Sequence, residues 1–397
     1  MTETAEYVIV GGGLEGLAIA WSLACRGETD VVVLERNSLC SGMTGRSSGV
    51  VRCHYGTPSL AAMSWYGVSV FARAAELFDG DDLAFRQCGY VVGVGADNVA
   101  ALHANVAMMH GLGIEVDLID HEAMATLWPG LYLDDFAAFA YERSGGRGEA
   151  HVTGMAFATA ARARGVRIRQ STAVAALLQD GAGTVCGVRL AGGGEIHARH
   201  VVLAAGPWTP ELAATAGVEV DVKAQRAQLV LIDQGMPTPD VPVLSDLSGL
   251  QYLCREPNGE LLVGNSDHQA PQYIDPDRFA DRADESTIEK TVMKLDTRLP
   301  GMPDPRVTGS YVGAYDVTPD YNPIIGPAPA DGLFLATGFS GHGFKISPAV
   351  GELVADLLTT GVTTLPNVDP HDFRYSRFAE NDPLVSPHPY VGAGEMR

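Results

Sequence analysis

The apolar positions change period along the opening of the chain. Tyr7, Val8, Ile9 and Val10 form an unbroken β-prone run, the pattern of a strand buried on both faces. A glycine cluster stops it. Beyond the cluster Leu14, Leu17, Ala18 and Trp21 recur at i, i+3, i+4 and i+7, which predicts a helix opening inside the glycines. Gly27 is placed to end that helix, and Val31–Leu34 reads as a second buried strand closed by Glu35. The same texture returns at a helix over 151–164 with a strand over 166–170, and at a buried strand over 200–206. It returns again at Leu333–Gly338. There Val350, Leu353, Val354, Leu357 and Leu358 give a helical period, with Ser347 as cap and Pro348 in the first turn.

Between these stretches the pattern differs. Residues 37–58 are rich in Gly and Ser and read as an extended loop; 60–79 look helical. A strand around Tyr90, a helix over 95–112 and a short helix stopped by Pro129 and Gly130 form a separate texture. Two short β segments, 174–179 and 184–190, follow the middle helix–strand unit. The runs QLVLI, QYLCRE and ELLVG alternate like strands of an antiparallel sheet, and 285–298 reads as a helix. The predicted organisation is one α/β domain in three pieces, 1–83, 143–220 and 310–397. Two insertions, 84–142 and 221–309, form a second, α+β domain on an antiparallel sheet.

The glycines carry chemistry. Gly11, Gly13 and Gly16 make G-x-G-x-x-G between a strand and a helix, and Glu35 follows Gly16 by nineteen residues. Gly11 permits the tight turn, Gly13 lets backbone approach a pyrophosphate, and Gly16 lets helix and strand pack closely. The helix N-terminus offers free N–H groups to phosphate, and Glu35 can accept hydrogen bonds from ribose hydroxyls. This predicts a dinucleotide site and leaves NAD and FAD both open.

Charge narrows the partners. With 27 lysines and arginines against 48 acids, the net charge is −21, which argues against nucleic acid or an anionic membrane surface. An anionic substrate needs a locally positive pocket in that field. The six cysteines show no C-x-x-C and no metal-ligand spacing, so no metal is expected. A first strand so near Met1 and the absence of a long apolar run predict a cytoplasmic protein with no membrane span.

Several stretches together resemble the FAD-dependent amine and amino-acid oxidoreductases of the D-amino-acid oxidase and sarcosine oxidase superfamily. They are YVIVGGGLEGLAIAWSLA with Glu35, SGMTGRSSGVVRCHYGTP, VVLAAGPW, and GAYDVTPDYNPIIGP with LATGFSGHGFKISPAVGELVADLL. The resemblance covers nearly the whole chain and is nearest to stand-alone proteins similar to the sarcosine oxidase β-subunit. It implies a Rossmann-like FAD domain of the glutathione-reductase type and chooses FAD, since an NAD enzyme has no reason to carry the C-terminal signature. It also implies a cofactor site. In the opening turn this comprises Gly11, Gly13, Leu14, Glu15 and Gly16, followed by Glu35 and Arg36. Ser41, Thr44, Arg46, Ser47, Ser48 and Gly49 come from the loop. Val174 matches the residue that sandwiches the adenine, and Ala205, Gly206 and Trp208 follow the middle strand. Gly338, Gly341, His342, Gly343, Phe344 and Lys345 match the segment along the flavin's pyrimidine edge.

For substrate, the resemblance implies that Arg52 and Lys345 hold a carboxylate, and that Tyr252 and Tyr315 surround the amine. An arginine fork suits a carboxylate bidentately and the ammonium adds charge. His54, beside Arg52, is expected to face the site; Tyr55 fits the pattern with its role open. Three positions depart or differ. Gly313 stands where some members carry the cysteine that binds flavin covalently, so FAD is expected to be non-covalent. Leu262 falls where a lysine promotes oxygen reduction, which leaves O2 and another electron acceptor both open. His151 is read as structural.

The implied function is oxidation of the C–N bond of a secondary, N-methylated or other small amino acid, by hydride transfer to flavin N5, giving an imine that water hydrolyses. Two rivals stay open: a 2-hydroxy-acid dehydrogenase with the same clamp, and a flavoprotein subunit active only with partner chains. Monomer, homo-oligomer and hetero-complex are all compatible with the sequence.

Overall fold

The strand Glu3–Val10 lies inside the first of two large sheets in the computed structural model, which describes residues 3–267 and 270–392. It pairs in parallel with Glu195–Leu203 on one side and Val31–Leu34 on the other. Leu333–Thr337 continues the parallel run beyond the first of these, and Arg167–Arg169 beyond the second. Helices and loops cover both faces, so Val31–Leu34 is buried at every position. Three antiparallel strands complete this sheet: Val185–Leu190 beside Glu195–Leu203, Val174–Gln179 outside it, and Ile324–Pro327 at the edge.

The first helix, Leu14–Cys25, is buried almost all round because it packs against both Ala150–Ala163 and the C-terminal helix Gly343–Thr359. The approach is close: a Cβ on Gly351 would stand 2.6 Å from the Ala18 carbonyl oxygen. The C-terminal helix corrects the sequence reading. It starts at Gly343, not after Ser347, and Pro348 lies inside it. Proline has no N–H for the Phe344 carbonyl four residues back, and the Ser347 hydroxyl donates to that carbonyl at 3.0 Å instead.

The second sheet runs in the order Arg306–Val317, Lys223–Asp233, Leu261–Asn265, Gln251–Arg255, Val243–Asp246, Tyr90–Val94, Ala138–Glu142, Asp117–Ile119. Distant parts of the chain therefore share one sheet, joined where Val243–Asp246 meets Tyr90–Val94. That junction is parallel and the remaining pairs are antiparallel, so the expected antiparallel sheet holds with one exception. Arg306–Val317 runs across the expected boundary at 310 and stays paired with Lys223–Asp233 as far as Val317. The extended loop expected over 37–58 also carries short elements. It holds a 3-10 turn at Met43–Arg46 and a short strand, Val50–Val51, pinned by Gly146–Arg147. Among the described residues no helix is long and apolar enough to cross a membrane.

Candidate functional site

The carboxyl ends of the parallel strands open onto a cavity of about 600 Å³, bordered by Val10, Leu34 and Ala204. Open α/β sheets bind ligands at this end, where helix N-termini converge. The glycine turn forms its floor. Gly11 has φ +117°, and a Cβ there would stand 2.3 Å from the Ala204 carbonyl oxygen, so only glycine fits. A Cβ on Gly16 would stand 2.0 Å from the Gly11 carbonyl oxygen, the close helix–strand approach expected of it. The Leu14 N–H donates to the Thr44 hydroxyl at 3.0 Å. Both groups border the cavity, so the Thr44 proton is available to a bound anion.

Glu35 also borders the cavity, and each carboxylate oxygen accepts a backbone N–H at 2.8 Å, from Gly12 and from Asn37. The carboxylate thus braces the glycine turn while keeping lone pairs for a ribose. On the neighbouring wall the Arg36 guanidinium lies 4.1 Å from the Trp208 ring centroid. A segment of the second lobe crosses here. Asp277 pairs with Arg36 and Asp281 with Arg46, both at 2.8 Å, and Pro276 and Phe279 line the cavity beside them. No sequence signal marks that segment.

The N-terminus of Gly343–Thr359 also faces the cavity, which Glu15, Asp316, Tyr252, Tyr315, Gly341 and Phe344 help to line. Asp316 accepts the Gly338 N–H at 2.7 Å, and burial pushes its carboxyl up to about 6. Burial and the neighbouring Asp316 hold Glu15 well above the usual carboxyl range. Ser41, Ser47, Ser48, Val174, Ala205 and Gly206 also border the cavity. Gly49 and Gly338 do not; they serve as close backbone approaches, to Gly148 and Thr318 respectively.

Arg52, His54, His342 and Lys345 form a buried layer that does not line this cavity. The Arg52 guanidinium carbon lies 4.2 Å, and the Lys345 ammonium 5.9 Å, from the centroid of the Tyr55 ring. The Tyr55 hydroxyl meets His342 Nδ1 at 3.2 Å. Arg52 donates to the His54 carbonyl, and the His54 ring turns instead to the Tyr390 hydroxyl, 2.6 Å away. Burial and the Arg52 charge push His54 down to about 3, which leaves it neutral. Its Nδ1 stands 3.8 Å from Glu142, whose carboxyl burial pushes up to about 7 and which accepts the Cys53 N–H at 2.6 Å. Glu142, Tyr390 and Asp316 were not singled out from the sequence, since each gains its place only through long-range packing. His151 is exposed at the start of its helix. Leu262 is buried within the second sheet. Among the described residues no cluster of His, Cys, Asp and Glu could hold a metal.

A flavin dinucleotide fits this donor set. Two helix N-termini face one cavity, suited to a pyrophosphate and to an electron-accepting ring. Two atoms there, Glu15 Oε2 and Trp208 Nε1, are buried without a hydrogen-bond partner, as polar groups awaiting a ligand are.

Comparisons with known proteins agree. The family model for FAD dependent oxidoreductases, DAO, matches residues 6–357. A 4-methylaminobutanoate oxidase (formaldehyde-forming) of Paenarthrobacter nicotinovorans is 29% identical over 381 residues, covering 94% of this chain and 45% of that protein. The chain thus spans less than half of that relative. The sarcosine oxidase subunit beta of Rhizobium meliloti (strain 1021) is 28% identical over 389 residues, covering 94% of this chain and 88% of that subunit. Among solved structures, L-proline dehydrogenase from P. horikoshii superposes with a TM-score of 0.87 at 26% identity, covering 97% of this chain and all of that one.

Proposed function

The chain belongs to the DAO family of FAD-dependent oxidoreductases, and from that premise we propose that it oxidises the C–N bond of a small secondary or N-methylated amino acid. The observation that carries this reading is the pair of buried cations, Arg52 and Lys345, held at one tyrosine ring in a protein of net charge −21. Such a pair concentrates positive charge where an anionic substrate would otherwise be repelled. The names of two relatives, for a methylaminobutanoate and for sarcosine, support a methylated amine as the other half of the substrate.

On this reading Arg52 takes the carboxylate bidentately and Lys345 adds charge. Tyr252 and Tyr315 wall the amine from the cavity side, where both are half-buried. FAD, when bound, supplies the two-electron acceptor for hydride leaving the substrate carbon, and the resulting imine is hydrolysed by water. The free N–H groups at Gly343 lower the cost of negative charge gathering at that end of the cavity. Positioning carries most of the catalysis, because the neutral, buried His54 is hydrogen-bonded away from the cavity.

We read the FAD as non-covalent. Gly313 borders the cavity where a cysteine linkage would be made, and a Cβ there would already stand 3.3 Å from Arg46 Cβ. The two sheets support a division into a cofactor lobe and a substrate lobe. Free cysteines, without a disulfide among the described residues, support a cytoplasmic location.

A second reading, a subunit that turns over only with partner chains, draws on the similarity to sarcosine oxidase subunit beta. An anaerobic absorbance spectrum of the purified protein, before and after N-methyl, D- and L-amino acids and 2-hydroxy acids, tests both. Bleaching of the flavin by an N-methyl amino acid is the expected result. Bleaching only by 2-hydroxy acids would sink the amine assignment, and no bleaching by any of them favours the partner-dependent reading.

A further inference from the structure

Glu15 stands at the junction of the two helix N-termini that share the cavity. It is the second residue of Leu14–Cys25, beside the N–H groups suited to a pyrophosphate. Its Oε1 also lies 2.6 Å from where a Cβ on Gly343 would be, at the mouth of the other helix. The carboxyl faces the cavity, yet Oε2 has no hydrogen-bond partner. A polar atom buried in this way carries a desolvation cost that nothing in the protein offsets.

FAD joins its pyrophosphate to its ring through a ribityl chain bearing hydroxyls, and a chain running between the two helix mouths must cross Glu15. We propose that Glu15 is the hydrogen-bond partner of the ribityl hydroxyls of bound FAD. The assignment rests on FAD occupying this cavity. The competing partners fit less well. The phosphates are better served by the Thr44 hydroxyl, whose oxygen already accepts the Leu14 N–H, and by the Arg46 guanidinium, and the flavin's pyrimidine edge by the N–H groups at Gly343. Ribityl hydroxyls, once removed from water, need partners of their own.

The protonation state agrees with this role. Burial and the neighbouring Asp316 disfavour charge on Glu15. A neutral carboxyl both donates and accepts, which matches hydroxyls, and it does not repel the neighbouring phosphates. A glutamine at this position would keep both capacities.

The test uses apoprotein titrated with FAD and with FAD analogues that each lack one ribityl hydroxyl, followed by flavin fluorescence. In wild type one analogue is expected to bind about tenfold more weakly than FAD, the size of a lost buried hydrogen bond. Glu15→Leu should weaken FAD itself by about tenfold and abolish the difference between FAD and that analogue, whereas Glu15→Gln should stay within about threefold of wild type. If the leucine variant does not fold, Glu15→Ala serves the same comparison. Analogue losses that are the same in wild type and variant would overturn the assignment, as would a glutamine variant that binds FAD as weakly as the leucine one. Failure of wild-type apoprotein to take up FAD at all would instead strike the cofactor placement.

Discussion

Arg52 and Lys345 come from opposite ends of the chain and converge on one ring, with the Arg52 guanidinium carbon 4.2 Å and the Lys345 ammonium 5.9 Å from the Tyr55 centroid. Both are buried, each 5% exposed, so their charges are screened far less than those of a surface lysine or arginine. The ring they share attracts positive charge through its π system.

Removing one cation separates substrate binding from cofactor binding. Arg52→Ala is expected to raise KM for carboxylate substrates by about 10- to 100-fold, the worth of a charge-assisted hydrogen-bonded pair, with flavin content unchanged. Steady-state kinetics beside the 450 nm absorbance of the purified variant measure both. An unaltered KM would remove Arg52 from the clamp.

The ties between Asp277 and Arg36 and between Asp281 and Arg46 close a segment of the second lobe over the cavity wall. Both pairs are partly exposed and contribute little to global stability. Asp277→Asn with Asp281→Asn should nonetheless speed FAD release several-fold while leaving the melting temperature within about 2 °C. Added salt should speed release in wild type and much less in the double variant. Stopped-flow flavin fluorescence during dilution reads this directly.

Ser347 does for the C-terminal helix what the proline after it cannot. Ser347→Ala leaves the Phe344 carbonyl without its 3.0 Å donor, and a loss of about 1 kcal/mol is expected in urea unfolding at saturating FAD. A variant as stable as wild type would show that the carbonyl finds another partner.

Glu142 should give stability a pH signature. Its folded pKa, about 7, lies above the ordinary 4.5, so the native state holds the proton that the unfolded chain has released in between. Stability from this group is therefore full below about 4.5 and is lost as pH rises to about 7. The neighbouring His54, pushed down to about 3, acts in the opposite sense, contributing stability that is lost as pH falls below its ordinary 6.5. Glu142→Gln removes the first effect and keeps the second. Relative to wild type the variant should gain stability as pH rises from about 4.5 to about 7, as measured by urea midpoints. A constant difference across that range would show that Glu142 is already ionised in the folded protein.

Several misreadings share a cause. Pro348 reads as a helix start because proline is common there, and the Ser347 hydroxyl that lets it sit inside the helix acts through a three-dimensional contact. The stretch over 37–58 reads as an extended loop without a strand because Val50–Val51 is too short to show a period, and only its pairing with Gly146–Arg147 makes it a strand. His54 was expected to face the site; it is turned to Tyr390, more than three hundred positions away in the chain.

What the sequence determined by itself was local. The strand–glycine–helix unit, the alternating strands of the second sheet and the acid after Val31–Leu34 were legible because hydrophobic period and backbone freedom are properties of neighbouring residues. Tertiary structure decided which strands lie side by side, that Val243–Asp246 joins Tyr90–Val94 in parallel, and that Asp277 and Asp281 reach the cofactor wall. It also decided that Arg52 and Lys345 share a ring, and that Glu15 meets Gly343 beside the cavity. Such pairings follow from how whole layers pack to bury their apolar faces, and no window of neighbouring residues contains that information.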